Sequence, residues 1–70
     1  MDNKKELVIQ FDITIRMAGF ALAKVCTEEE IDILFDVLQD IFVPIYGDSG
    51  RDILERNKEI CIKLHKGLKL

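Results

Sequence analysis

The sequence predicts an all-α protein: a small three-helix unit, with helices over about 5–25, 28–44 and 51–66, that assembles with copies of itself into a helical-bundle homo-oligomer. Three observations predict it. Apolar residues recur at steps of three and four along all three segments, as they do on one face of a helix. Thr27, followed three residues later by Glu30, is a capping-box signature opening the middle segment. Finally, the one stretch that alternates like a strand, residues 7–17, has no second strand in the chain to pair with.

That stretch, "LVIQFDITIRM", carries both periods at once. Ile9, Phe11, Ile13, Ile15 and Met17 alternate with polar residues. Val8, Phe11, Ile15, Ala18, Leu22 and Val25 recur as a helical stripe that outlasts the alternation, and Ile9, Ile13, Met17 and Phe20 form a second stripe beside it. The helical reading therefore prevails and makes the first helix apolar on two sides. Asp12 and Arg16 stand four apart and can pair. Gly19 costs about 1 kcal/mol against alanine in a helix interior. With Ala18 and Ala23 nearby, it is expected to let another backbone come close. The rival reading is a dimeric nucleic-acid-binding regulator of ribbon-helix-helix or helical-hairpin type, the former with residues 7–17 paired across a dimer axis. The long link at 18–27 and a net charge of −3 weigh against it.

The second helix opens with Glu28, Glu29 and Glu30, whose charges oppose the positive end of the helix dipole. Ile31, Leu34, Phe35, Leu38, Ile41, Phe42 and Ile45 give it a wide apolar face. Pro44 is expected to end or kink it, since proline lacks a donor and restricts the residue before it. "YGDSG" then reads as a turn, with Asp48 or Ser49 capping a third helix from about Arg51. That helix is marked by Ile53, Leu54, Ile60, Cys61 and Leu64, with Lys63, His65 and Lys66 in its last turn and Gly67 as its stop.

Seventy residues make one domain, 1–70, of which 49% of residues are hydrophobic. A chain this short buries only about 60% of its extended surface. The apolar surplus is expected at a self-association interface formed by Val8, Phe11, Ile15, Gly19 and Leu22. The longest apolar run, "MAGFALA", falls far short of the roughly 20 residues that span a bilayer, so no membrane role is expected. "MDNKKEL" resembles a secretory start, but Asp12 and Arg16 interrupt any hydrophobic core behind it. The expected location is cytoplasmic, with Cys26 and Cys61 reduced.

Charge is laid out in blocks. Lys4, Lys5, Arg16 and Lys24 against Asp2, Glu6 and Asp12 leave the first third at +1. Glu28, Glu29, Glu30, Asp32, Asp36, Asp40 and Asp48 meet no base between residues 25 and 50, giving −7. Arg51, Arg56, Lys58, Lys63, Lys66 and Lys69 against Asp52, Glu55 and Glu59 return +3. Within the acidic block, Glu28, Asp32, Asp36 and Asp40 follow one another at steps of four, a ridge whose like charges repel by a few tenths of a kcal/mol per pair. Two readings follow: a solvated face partly balanced by bases of the third helix or of a second subunit, or a docking ridge for a basic protein. Four helical residues rise about 6 Å, close to the phosphate spacing of a nucleic-acid strand, and small acidic proteins of mobile elements inhibit partners by such imitation. An acidic middle block also argues against direct nucleic-acid binding.

No motif for catalysis emerges. Cys61 and His65 are four apart and could share a metal with Cys26, but no fourth ligand stands out. A Cys-His catalytic pair would need an orienting group and oxyanion donors that the sequence does not supply. Neither a cofactor nor a resident metal is expected. Asn57, among apolar positions, reads as a boundary residue reaching water, or alternatively as a buried polar group that fixes helix register. Phe20, Phe35, Phe42 and Tyr46 are not interleaved with bases, so they read as packing and not as a base-stacking platform. The functional expectation is a non-enzymatic inhibitor or adaptor that docks a basic partner through the acidic ridge.

Overall fold

In the computed structural model, residues 3–67 are described, and among them every regular element is a helix: α1 (Asn3–Val25), α2 (Glu28–Tyr46) and α3 (Asp48–His65). Asp2 and Lys69, counted above in the charges of the outer thirds, lie outside the described residues. Residues 7–17 belong to α1, which removes the strand that a ribbon-helix-helix arrangement needs. No described helix is long and apolar enough to cross a membrane.

The capping box forms as its residues dictate. Thr27 Oγ1 accepts from the Glu30 amide at 3.1 Å, and Glu30 Oε1 accepts from the Thr27 amide at 2.9 Å. Both orphan donors are thereby satisfied at the start of α2.

The other end of α2 departs from expectation. Pro44 stays inside the helix, which continues to Tyr46. Proline removes the bond to the carbonyl four residues back and crowds that carbonyl with its ring, and here both effects fall near the helix end, on exposed Asp40. The helix stops instead at Gly47, whose φ of +69° is natural only to glycine and whose amide donates to the Val43 carbonyl at 2.7 Å. α3 consequently begins three residues earlier than the sequence suggested. Asp48 is no cap: no side chain caps α3, and Asp48 sits in its first turn, paired with Arg51 at 3.1 Å.

So tight a corner brings two backbones together. A Cβ on Gly50 would lie 2.8 Å from Tyr46 Cβ and 3.4 Å from the Phe42 carbonyl oxygen. No side chain fits there.

α3 lies between the other two helices and packs against both, whereas α1 and α2 touch each other little. Residue numbers rise together across the α1–α3 seam (Asp12 with Asn57, Ala23 with His65) and oppositely across α2–α3 (Glu28 with Lys66, Asp32 with Lys58). α1 and α3 are therefore parallel, and α2 runs against both. The shared core is Phe11 and Ile15 of α1, Ile31 and Phe35 of α2, and Ile53, Leu54 and Cys61 of α3. Where α1 does meet α2, Phe11 stacks on Tyr46 (centroids 4.6 Å apart) and tilts against Phe42 (4.9 Å). The result is flat, 40 × 22 × 15 Å. Its radius of gyration of 12.2 Å exceeds the roughly 11 Å usual for this length. Its accessible surface of 4967 Å² exceeds the roughly 4,500 Å² usual for an 8.1 kDa monomer.

Candidate recognition surfaces

The seam between α1 and α3 is a ladder of polar contacts. Asn57 is 1% exposed, so it does not reach water as a boundary residue would. Its amide group donates to Asp12 Oδ1 and to the Ile53 carbonyl, both at 2.8 Å, and its Oδ1 accepts from Arg16 Nε at 3.1 Å. Asp12 in turn pairs with Arg16 at 3.2 Å and Arg56 at 3.4 Å. One turn further, the Cys61 thiol donates to the Gly19 carbonyl at 3.0 Å; a turn beyond that, His65 Nδ1 meets the Ala23 carbonyl at 3.0 Å. No buried side-chain nitrogen or oxygen among the described residues lacks a partner.

These contacts give Cys61 and His65 structural duties. Burial, with a lesser contribution from nearby Cys26, pushes the Cys61 thiol above its ordinary value of 9.0, so it stays protonated as a donor. Such a thiol is a poor nucleophile and a poor metal ligand. Among the described residues, no group of three or more His, Cys, Asp and Glu side chains is placed to hold a metal.

Gly19 holds the close helix contact its small neighbours suggested, and it does so within one chain. A Cβ there would sit 3.5 Å from Cys61 Cβ and 3.8 Å from the Asn57 carbonyl oxygen. The same holds for the rest of the stripe assigned to an oligomer interface. Phe11, Ile15 and Gly19 are buried in the chain's own core, and Val8 and Leu22 pack half-buried beside it. Burial against α3 and the aromatic corner of α2 already removes these side chains from water, so another copy has little of them to cover. The accessible α1 stripe is the second one: Ile9, Ile13, Met17 and Phe20, each 42–67% exposed.

α2 presents a matching stripe. Leu34, Val37, Ile41 and Ile45 are 39–64% exposed, and steps of three and four align them along one flank. The acidic ridge occupies the flank nearer α3, and the structure divides it. Glu28 pairs with Lys66 at 3.1 Å, and Asp32 with Lys58 at 3.0 Å. Asp36 and Asp40 are exposed and form no ion pair among the described residues, nor does Glu29. The ridge is thus split: Glu28 and Asp32 are balanced by α3, and Asp36 and Asp40 face outward.

Part of this was within reach of the sequence. Asn57, Cys61 and His65 stand at steps of four, a row of hydrogen-bonding side chains that marks the α1-facing ridge of α3. Gly50 had no such mark, because its need arises from Tyr46 across the corner. In comparisons with known proteins, no family model, no curated sequence and no solved structure matches this chain.

Proposed function

We propose that the chain is a non-enzymatic protein–protein interaction module, an adaptor or inhibitor that acts by presenting helix faces and works as a homo-oligomer. One observation carries the proposal: eleven large apolar side chains of α1 and α2 stand exposed, from Leu7 to Ile45, on a molecule flatter than its mass requires. Monomeric proteins seldom present contiguous apolar faces of this kind unless another surface covers them. The residues with the chemical capacity for catalysis, Cys61 and His65, are engaged in holding α3 to α1, which favours an interaction role over an enzymatic one.

The basic partner is recognised by Asp36 and Asp40, with Glu29 beside them. Glu28 and Asp32 contribute less, because Lys66 and Lys58 already neutralise them. A cationic amphipathic helix matches this surface: its bases face the carboxylates and its apolar side chains meet Ile33, which stands 56% exposed beside them on the same helix.

Two measurements test the reading. Sedimentation equilibrium at micromolar concentration is expected to show a mass above 8.1 kDa, and a folded monomer would overturn the oligomeric half. For the partner, titration with a lysine-rich amphipathic peptide is expected to give binding that weakens with salt. Changing Asp36 and Asp40 together to asparagine should slow it. Equal association by parent and variant across a range of salt would remove the acidic flank from recognition.

A further inference from the structure

We infer that the exposed stripe of α1 in one copy packs antiparallel against the exposed stripe of α2 in a second copy. The inference rests on the reading that these stripes are contact surfaces, and it specifies what covers each.

Spacing is the first argument. Along α1 the stripe runs Ile9, Ile13, Met17, Phe20, with steps of four, four and three. Along α2 it runs Leu34, Val37, Ile41, Ile45, with steps of three, four and four. Laid antiparallel, Phe20 falls opposite Leu34, Met17 opposite Val37, Ile13 opposite Ile41 and Ile9 opposite Ile45, with no slip in register. Each stripe covers the same length of helix, about 17 Å at 1.5 Å per residue. The next residue pair outward is Lys24 opposite Glu30, so a base meets an acid at the end of the seam.

Charge decides between this pairing and a symmetric one. α2 carries Glu28, Glu29, Glu30, Asp32, Asp36 and Asp40 and no base at all, with Glu30 at one end of its stripe and Asp36 and Asp40 on a separate flank. Setting α2 against the α2 of another copy would place two strongly acidic helices side by side, and like-charge juxtaposition at an interface is disfavoured. α1 carries Lys4, Lys5, Arg16 and Lys24 against Glu6 and Asp12, a net of +2, with Lys24 at one end of its stripe and Glu6 at the other. Pairing α1 with itself would match its stripe but leave Leu34, Val37, Ile41 and Ile45 in water. Only the α1–α2 pairing covers both stripes and sets a net-basic helix against an acidic one. A standard interface buries about 800 Å² per partner, roughly a sixth of this chain's 4967 Å².

The contact joins unlike faces, so it can be tested by complementation. Met17→Lys spoils the α1 stripe and leaves α2 intact, while Val37→Asp does the reverse. Both positions are exposed, at 67% and 47%, so both variants should retain the parent's helical circular dichroism. By sedimentation, each alone should self-associate more weakly than the parent by roughly tenfold or more. Mixed in equal amounts, they should associate, because each supplies the face the other lacks. Ile13→Lys with Ile41→Asp, the neighbouring pair in the register, should behave alike and covers the case in which one variant misfolds. If Met17→Lys or Val37→Asp alone associates as the parent does, the contact is between like faces; the pairing falls and the interaction module stands. A mixture that stays dispersed also overturns the pairing. A parent that is monomeric throughout overturns the pairing and, with it, the homo-oligomeric half of the proposed function.

Discussion

The two seams of α3 are built on different chemistry. Against α2 it buries Leu54 beside Ile31 and Phe35, all at most 1% exposed, and places its ion pairs, Lys58–Asp32 and Lys66–Glu28, at the rim. Against α1 it sets one polar rung per turn: Asn57 on Asp12 and Arg16, Cys61 on Gly19, and His65 on Ala23. Apolar burial is strong and tolerant of sliding, whereas a buried hydrogen bond is lost within a fraction of an ångström. The α2 seam is therefore expected to supply most of the stability, and the α1 seam to set how α1 is placed along α3.

The harshest way to break this contrast is Phe35→Ala, which should cost about 3–5 kcal/mol by lost burial and a residual cavity. For a 70-residue chain that is a large share of the total stability. Urea denaturation should show the variant largely unfolded, and a loss below about 1 kcal/mol would mean that α2 is not the main apolar support.

Asn57→Ala comes next, at about 1–3 kcal/mol, because it strips Asp12 and Arg16 of a buried partner. Both retain some access to water and to each other, which keeps the cost below that of Phe35→Ala. A helical spectrum with broadened, non-cooperative melting would be the signature of lost register.

Two buried glycines, Gly50 at the α2–α3 corner and Gly19 at the α1–α3 seam, sharpen the comparison. Gly50→Ala should cost about 1–3 kcal/mol by overpacking, since its Cβ would clash with Tyr46 Cβ. Gly19→Ala meets only ordinary contacts and should gain up to about 1 kcal/mol from helix propensity. Thermal melts that rank the two variants the other way would contradict the helix spacing described for both seams.

At neutral pH the smallest effect belongs to the Cys61 thiol. Its value in the folded chain is raised above the ordinary 9.0, so the folded state holds the proton more tightly than the unfolded state does. Its contribution is fully present below about pH 9 and is lost as pH rises toward the raised value. Stability measured by urea denaturation should fall in that alkaline window for the parent, and fall less for Cys61→Ala. Parallel curves would show that the thiol is not the group responsible.

Local rules determined the parts that depend on neighbours in the chain. Thr27 and Glu30 dictate a helix start wherever they are placed, and the three-and-four spacing of apolar residues dictates helix over strand even in the alternating stretch at 7–17. Asp12 and Arg16 were certain to be within reach of each other, being one turn apart on one helix. What no local rule could decide is which side of α1 faces α3, because two stripes of equal apolar character compete for it. The tertiary structure settles that through residues distant in sequence: Cys61, Asn57 and His65 find carbonyls and side chains along the Asp12–Gly19–Ala23 side of α1. The Ile9–Phe20 stripe is thereby left outside. Gly50 is required for the same kind of reason, since Tyr46 and Phe42 crowd it only once the corner at Gly47 has closed. The acidic ridge, uniform as a sequence pattern, is divided because Lys58 and Lys66 reach its first half and no base reaches Asp36 and Asp40 among the described residues.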